Sequence, residues 1–150
     1  MVLGIGVDMV TISEIARLLP EGGLAAASGE RAPAAPGAAT ADASPRRHLD
    51  AFVRRTFTTD ELAQAALRHD QASYLAGRFA AKEAVFKALA PRTASGFDLR
   101  VVETLDDAAG APHVSTHGPL AGVLAEAGAT EVLVSITNEG DCAVAFALAQ

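Results

Sequence analysis

The stretch RFAAKEAVFKALA near the middle of the chain sets four charged side chains into an apolar, alanine-rich background. In a helix, Glu83 and Lys87 would share one face, with Phe79 one turn earlier on the same stripe. Arg78 and Lys82 would form a parallel stripe beside them. A Glu–Lys pair at this spacing is commonly a surface ion pair worth about 0.3–0.5 kcal/mol. However, a helix this rich in alanine must pack closely on both sides. We therefore expect its charged side chains to form part of a functional site.

A carboxylate in the first segment, GIGVDMVTI, could complete such a site. Alternate residues of a strand point to opposite faces, so Gly4, Gly6 and Asp8 share one hollow face. The two glycines leave room for a ligand beside Asp8 or for close approach of another backbone. If Asp8 and Glu83 converge, two carboxylates completed by phosphate oxygens and waters would suit Mg²⁺, and the cations of the helix would neutralise phosphate charge. The residues then favour a magnesium-dependent phosphate or pyrophosphate site.

The charge of the chain is unevenly distributed. The protein has 150 residues and a formal net charge of −6, which argues against non-specific binding to nucleic acid. Between Arg46 and Arg92, however, nine basic residues stand against five acidic ones, a local excess of +4. Charge alone leaves two interpretations open, namely solvated helix faces or a region that binds an anionic partner.

The chain carries none of the sequence signals of secretion or membrane insertion. The residues after Met1, VLGIGVD, lack the basic segment and the long apolar run of a signal peptide. No uninterrupted apolar stretch approaches the ~20 residues that cross a bilayer. The single cysteine, Cys142, cannot form an internal disulfide and lies in an apolar strand. We therefore expect a cytoplasmic protein with no membrane partner.

Hydrophobic periodicity predicts an α+β fold. Strands are predicted in the first segment, in FDLRVVETL with PHVSTHG, and in EVLVSIT with CAVAFALA, the last two pairs as hairpins. A helix is predicted at residues 13–19, and two consecutive helices separated by a break are predicted in HLDAFVRRTFTTDELAQAALRHD. Two further helices are predicted from about Gln71 to Leu89 and in PLAGVLAEAG. Thr58 and Glu61 have the spacing of a capping box between the two middle helices.

The domain organisation is predicted to be simple. We expect a single domain over residues 1–150, with a flexible low-complexity insert at about 20–45. That segment consists mostly of Ala, Gly, Pro, Ser and Thr, without period or large apolar residues. It cannot bury enough surface to offset the entropy of ordering it.

Five segments carry a family resemblance when they are taken together. They are GIGVDMVTI, FVRRTFTTDEL, YLAGRFAAKEAVFKAL, FDLRVVE and VSITNEGDCAVAFA, and they span nearly the whole chain apart from residues 20–45. In this order they resemble the holo-[acyl-carrier-protein] synthase family of 4′-phosphopantetheinyl transferases. The resemblance implies an antiparallel sheet packed against a long central helix, in short subunits that form homotrimers with active sites at the subunit interfaces.

The resemblance also implies an activity and its partners. Family members transfer 4′-phosphopantetheine from coenzyme A to a serine of an apo acyl carrier protein, with Mg²⁺ as cofactor, and release adenosine 3′,5′-bisphosphate. Asp8 and Glu83 match the family's metal-binding carboxylates, and Lys87 matches a lysine expected to contact the pyrophosphate. The positions expected to bind coenzyme A are Arg78, Phe79, Lys82 and Lys87.

One departure from the family pattern concerns the proton acceptor. The terminal strand of the family usually ends in Ser-x-[Ser/Thr]-His, whereas this chain has Asn138 in place of the histidine. An asparagine can orient a water but cannot take up a proton at neutral pH. Because general base catalysis is typically worth about 10²–10⁴-fold, a different proton acceptor or a slower enzyme is expected. The catalytic residues predicted from the sequence are Glu83, Lys87 and Asn138.

A second departure concerns the carrier protein. Many family members have an arginine near the amino terminus that binds the acidic carrier protein, and this chain has Glu14 there. We therefore predict that docking depends on Arg17, Arg54 and Arg55.

Two other functions remain open on the sequence alone. A catalytically weak or silent homologue that binds coenzyme A or a carrier protein would explain Asn138. A purely structural α+β domain would leave the hollow strand face and the charged helix unexplained. Retention of Asp8, Glu83 and Lys87 together favours the active transferase, because a non-catalytic binder has no need of a metal site.

Overall fold

The helices and strands interleave in an α+β arrangement, which a computed structural model describes for residues 1–19, 23–24 and 45–150. In chain order they are β1 (Gly4–Thr11), α1 (Ile12–Leu18), α2 (Pro45–Thr56), α3 (Thr59–Ala66), α4 (Gln71–Leu89), β2 (Thr104–Asp106), β3 (Pro112–Val114), α5 (Pro119–Ala127), β4 (Val132–Glu139) and β5 (Cys142–Ala149). Most of the predicted insert at about 20–45 lies outside the described residues. Within these ranges, no helix combines the length and the apolar character needed to cross a membrane.

The main sheet has three antiparallel strands in the order β1-β5-β4. Its register sets Asp8 opposite Ala145, and Ala145 opposite Ile136 on the far strand. A separate hairpin pairs β2 with β3. The long helix α4 packs across the main sheet, so the predicted fold class, an antiparallel sheet against a long central helix, is confirmed.

The glycine face of β1 lies directly against the backbone of α4. A Cβ atom placed on Gly4 would lie 2.0 Å from the carbonyl oxygen of Ala88, and one on Gly6 would lie 1.9 Å from that of Ala84. Of the two uses that the sequence allowed for these glycines, the structure therefore selects close approach of another backbone. The neighbouring strand β5 presents only alanines to the helix, and all of them are fully buried: Ala143, Ala145, Ala147 and Ala149.

The helix ends follow the sequence signals. Thr58 accepts a hydrogen bond from the Glu61 amide at 3.2 Å, and the Glu61 carboxylate accepts one from the Thr58 amide at 2.9 Å, which confirms the capping box. Helix α4 begins after Asp70, whose side chain accepts from the Ser73 amide. Helix α5 ends at Gly128, which adopts a left-handed conformation with φ of 73°.

The strand predicted across FDLRVVETL is wrong in its first seven residues. Only Thr104–Asp106 pair as a strand, whereas Leu99–Val101 form a 3₁₀ turn. The Asp98 side chain accepts a hydrogen bond from the Arg100 amide at 2.8 Å and so starts this turn. The segment contains β-branched residues that favour a strand, but the local cap formed by the aspartate favours a turn, and the turn forms.

The face of the main sheet that points away from α4 is apolar and exposed. Its large side chains, each between 41% and 66% exposed, come from all three strands: Ile5, Val7, Met9, Leu133 and Phe146. A contiguous apolar patch of this kind commonly marks an interaction surface.

A glycine-to-alanine comparison tests the contact between β1 and α4. Gly6→Ala should lower the free energy of unfolding by at least about 3 kcal/mol, the upper end of ordinary overpacking, because backbone at 1.9 Å cannot move aside as a side chain would. Gly122→Ala is the matched control, because a Cβ there meets nothing within 4 Å, and it should raise stability by about 0.5–1 kcal/mol. Denaturant unfolding measures both, and equal small effects would contradict the close contact.

Candidate active site

Three charged side chains meet where β1 crosses α4. Asp8 lies on the same strand face as Gly4 and Gly6, so the close packing of the strand carries its carboxylate to the helix. The Lys87 ammonium donates hydrogen bonds to Asp8 Oδ1 at 2.6 Å and to the Val7 carbonyl oxygen at 3.1 Å. The structure thus brings Asp8 to Lys87, 79 residues further along the chain.

The charges of this cluster influence one another. The pKa of Glu83 is raised, first because the carboxyl group is partly buried and then because the negative charge of Asp8 is close, while Lys87 acts in the opposite direction. The pKa of Lys87 is raised, chiefly by its hydrogen bond with Asp8. Glu83 therefore lies within electrostatic reach of both Asp8 and Lys87, as the sequence hypothesis required.

The donor set of this cluster fits a hard divalent cation. Asp8 and Glu83 supply carboxylate oxygens, and the charge of Asp8 helps to raise the pKa of Glu83, a repulsion that a bound cation would relieve. No group of three or more His, Cys, Asp and Glu side chains suited to a metal occurs in the described part of the chain. A cation held here would take most of its ligands from a substrate or from water, as Mg²⁺ commonly does.

A cavity of about 680 Å³ opens beside Glu83. Aromatic rings from three segments line it, namely Phe52, Phe86 and Phe97, and the last two rings pack in a tilted arrangement with centroids 5.0 Å apart. The exposed Arg55 lies at the end of α2 and also contributes to the wall. The cavity therefore combines an apolar interior with a carboxylate and a cation, the usual composition of a ligand site.

The expectation that Lys82 contacts coenzyme A is contradicted. Its side chain is completely buried, and its ammonium lies 2.8 Å from the equally buried Glu61 carboxylate. Burial lowers the pKa of Lys82, and the charge of Glu61 opposes that shift. Lys82 and Glu83 are adjacent in a helix and therefore point about 100° apart, so one side chain reaches the cavity while the other enters the core.

Arg78 lies in a second, smaller cavity. Its side chain is only 5% exposed and pairs with Asp106, and its guanidinium stacks over the Tyr74 ring at 4.1 Å. Arg78 Nε has no hydrogen-bond partner among the described residues. The cavity has a volume of about 190 Å³, and Arg78 lines it together with Ser73 and Asn138. A role for Arg78 at a phosphate stays a prediction, and within one chain this cavity is separate from the one beside Glu83.

Asn138 does not join Asp8 and Glu83 within a single chain. Its side-chain amide donates to Ser73 Oγ at 2.6 Å. Asn138 and Asp8 lie on the two edge strands of the main sheet with β5 between them, so their backbones are at least about 10 Å apart. The catalytic role of Asn138 stays a prediction, which one subunit alone does not support.

The remaining predicted arginines lie on the surface near α2. Arg17, in the last turn of α1, is exposed, and so are Arg54 and Arg55 at the end of α2. Their role in docking stays a prediction. Phe79 is partly buried and packs edge-on against Phe52 at 5.7 Å, so it supports the lining of the larger cavity from behind.

Sequence reasoning missed the cavity wall and the partner of Lys82. Phe86, Phe97 and Leu99 line the larger cavity, and aromatic residues near a charged helix could have indicated the first two. Glu61 was identified only as a capping residue. No spacing rule indicates that the same carboxylate also pairs with a lysine 21 positions further along the chain.

Comparison with known proteins agrees with this geometry. The family model described as the 4′-phosphopantetheinyl transferase superfamily matches residues 4–147. The holo-[acyl-carrier-protein] synthase of Desulforudis audaxviator is 36% identical over 149 residues, which cover 99% of this chain and 93% of the relative. The chain therefore belongs to the 4′-phosphopantetheinyl transferase superfamily and, within it, to the holo-[acyl-carrier-protein] synthase family of enzymes, as the sequence motifs predicted.

Solved structures show the same fold. The crystal structure of holo-[acyl-carrier-protein] synthase from Neisseria meningitidis matches with a TM-score of 0.68 and 29% identity, covering 100% of this chain and 99% of that one. A structure described as the Chronobacterium ammoniagenes ACPS–CoA complex matches with a TM-score of 0.66 and 25% identity, covering 98% and 96% of the two chains. The first strand, the long helix and the terminal hairpin thus form a fold already seen with coenzyme A in a relative.

Proposed function

We propose that this enzyme transfers 4′-phosphopantetheine from coenzyme A to a serine of an apo acyl carrier protein, with Mg²⁺ bound between Asp8 and Glu83. The observation that carries the proposal is the cluster of Asp8, Glu83 and Lys87, in which Glu83 lines the 680 Å³ cavity. Family membership supplies the reaction class, and the relative described as a coenzyme A complex supports the donor substrate.

The reaction is a phosphoryl transfer. The serine oxygen attacks the phosphorus that carries the pantetheine arm, the bond from that phosphorus to the bridging oxygen breaks, and adenosine 3′,5′-bisphosphate leaves. The serine proton passes to solvent or to a base other than Asn138, since an amide cannot accept it. Transfers of this kind depend mainly on positioning and on charge stabilisation.

The charged cluster is suited to both tasks. Asp8 and Glu83 would hold the cation, which supplies Lewis-acid polarisation of the pyrophosphate when bound. Lys87 is half exposed and lies at the same place, so its ammonium can turn from Asp8 to a phosphate oxygen and stabilise the charge that develops on the leaving group. The apolar part of the cavity would exclude water from the attacked phosphorus.

The second cavity suggests that each site is shared between two subunits. Arg78 and Asn138 lie in a cavity apart from Asp8 and Glu83 in one chain, yet the family resemblance assigns all four to one reaction. A homotrimer with sites at its interfaces would unite them, because a cyclic contact joins two different surfaces of neighbouring subunits. The exposed apolar face of the main sheet supports such self-association, since neighbouring copies would remove it from water.

The three surface arginines are the candidate dock for the acidic carrier protein. Arg55 lines the cavity beside Glu83, and Arg17 lies on the helix that follows β1. A carrier protein bound by these cations would present its serine near the cavity mouth, and such surface charges act mainly on the association rate.

Glu83→Gln should abolish transfer, because the remaining carboxylate cannot hold the cation alone. Lewis-acid stabilisation is worth several kcal/mol, so the rate should fall at least about 100-fold. The assay is the mass gain of one phosphopantetheine arm on an apo carrier protein incubated with Mg²⁺ and coenzyme A. Glu131→Gln changes an exposed carboxylate that bonds only Gln150 among the described residues, and it should transfer normally. Absence of any mass gain with the unaltered enzyme across several carrier proteins would refute the activity.

Mixed trimers test whether the site is shared. Glu83→Gln and Asn138→Ala subunits should each be nearly inactive as homotrimers. If one subunit supplies Glu83 and its neighbour supplies Asn138, random co-assembly of equal amounts restores both residues in about one site in four, and about a quarter of the normal rate returns. No recovery in mixed trimers would show that both residues act within one chain. Full activity of Asn138→Ala on its own would end the proposed role of that residue.

A further inference from the structure

Lys82 has no part in the reaction as described, yet it is a fully buried cation one residue from Glu83. Its ammonium pairs with Glu61 Oε2 at 2.8 Å and donates a hydrogen bond to the Val102 carbonyl oxygen. A longer contact, 3.4 Å, joins it to the Leu99 carbonyl oxygen. All three donors of the lysine are therefore directed at one short stretch of chain and one carboxylate.

Glu61 continues this network in two directions. One carboxylate oxygen accepts from the Thr104 amide at 2.9 Å, and the other accepts from the Thr58 amide at 2.9 Å. The Thr58 hydroxyl in turn donates to the Glu103 carboxylate at 2.7 Å. The buried pair thus joins the start of α3, the middle of α4 and the chain between residues 99 and 104.

The chain between residues 97 and 103 has few other attachments. It precedes β2, and its own backbone bonds close a single 3₁₀ turn; at its end, the Glu103 carbonyl oxygen accepts a hydrogen bond from the Ser115 amide at 2.8 Å. Phe97 and Leu99 from this segment form one wall of the cavity beside Glu83. Apart from the packing of Phe97 on Phe86 and the burial of Val102, the bonds from Lys82 hold this wall against α4.

Energetics make a purely stabilising role a poor explanation. A buried ion pair is often no more stabilising than apolar side chains of the same volume, because desolvation offsets the attraction of the charges. Apolar side chains could not hold two backbone carbonyl groups in fixed directions. A buried lysine does so, and it makes those bonds one residue from the carboxylate that faces the cavity.

We propose that Lys82 and Glu61 form a positioning pair that fixes the 97–102 wall of the cavity beside Glu83 and thereby sets the affinity of the enzyme for coenzyme A. This inference rests on the proposed function of that cavity. Lys82 is a positioning residue in it, and it touches neither substrate nor metal. Loss of the pair should loosen the wall and weaken binding of the ligand, and leave the charged cluster of Asp8, Glu83 and Lys87 intact.

The test separates positioning from stability with two variants. Lys82→Met leaves the Glu61 carboxylate buried without its cation and should unfold more easily. The double variant Glu61→Gln with Lys82→Met has no buried charge and keeps an acceptor for the Thr104 amide, so much of the stability should return. It still lacks the donors to Leu99 and Val102. In this folded double variant the KM for coenzyme A should rise at least about tenfold while kcat stays within about threefold.

Hydrogen exchange and a control variant complete the test. Backbone amides of residues 97–104 should exchange faster in the double variant than in the unaltered protein. Arg100→Gln removes a cation from the same segment but no bond to α4, and its KM should stay unchanged. A double variant with normal KM and normal exchange would overturn the positioning role, whereas an unaltered enzyme without transfer activity would instead refute the proposed function.

Discussion

The missing side chains of Gly4 and Gly6 determine where the charged cluster forms. Without Cβ atoms, β1 lies backbone against backbone on the turn of α4 that contains Ala84 and Ala88. Asp8 is the next residue on the same strand face, so its carboxylate arrives at Lys87 with no loop or hinge between them. Any larger residue at either glycine would lift the strand away from the helix, and the two halves of the cluster would separate. The site is therefore positioned by the two most rigid kinds of element in the fold, a strand and a helix.

The small residues of β5 extend this close contact across the sheet. Its four helix-facing alanines are fully buried, so α4 also packs closely on the central strand. The helix is consequently enclosed on several sides and shows no single apolar face. Polar side chains on such a helix can be accommodated in only two ways. They reach the edge of the contact, as Glu83 and Lys87 do, or they enter the core and must be paired there, as Lys82 and Arg78 are.

Much of this architecture could be predicted from the sequence because its signals are local. Strand alternation identified the glycine face of β1, and the capping box of Thr58 with Glu61 located the start of α3. The sequence predicts a strand over Leu99–Val101 because the β-branched residues in and after this segment outweigh, in a pattern count, the single aspartate that caps the turn. The burial of Lys82 was also beyond prediction. Its partner is distant in sequence, and helical spacing gives the direction of a side chain but not what lies in that direction.

The two lysines of α4 show how position, and not residue type, assigns their roles. Burial lowers the pKa of Lys82, whereas the hydrogen bond between Lys87 and Asp8 raises the pKa of Lys87. The two lysines are separated by little more than one helical turn. Lys87 keeps a half-exposed cation, which in the proposed reaction would exchange a carboxylate for a phosphate. The Lys82 ammonium donates its hydrogen bonds to groups of the protein itself, and it cannot reach a substrate without breaking those bonds. Glu83 lies between these two lysines in the sequence, so the carboxylate that lines the cavity adjoins both a half-exposed cation and a buried one.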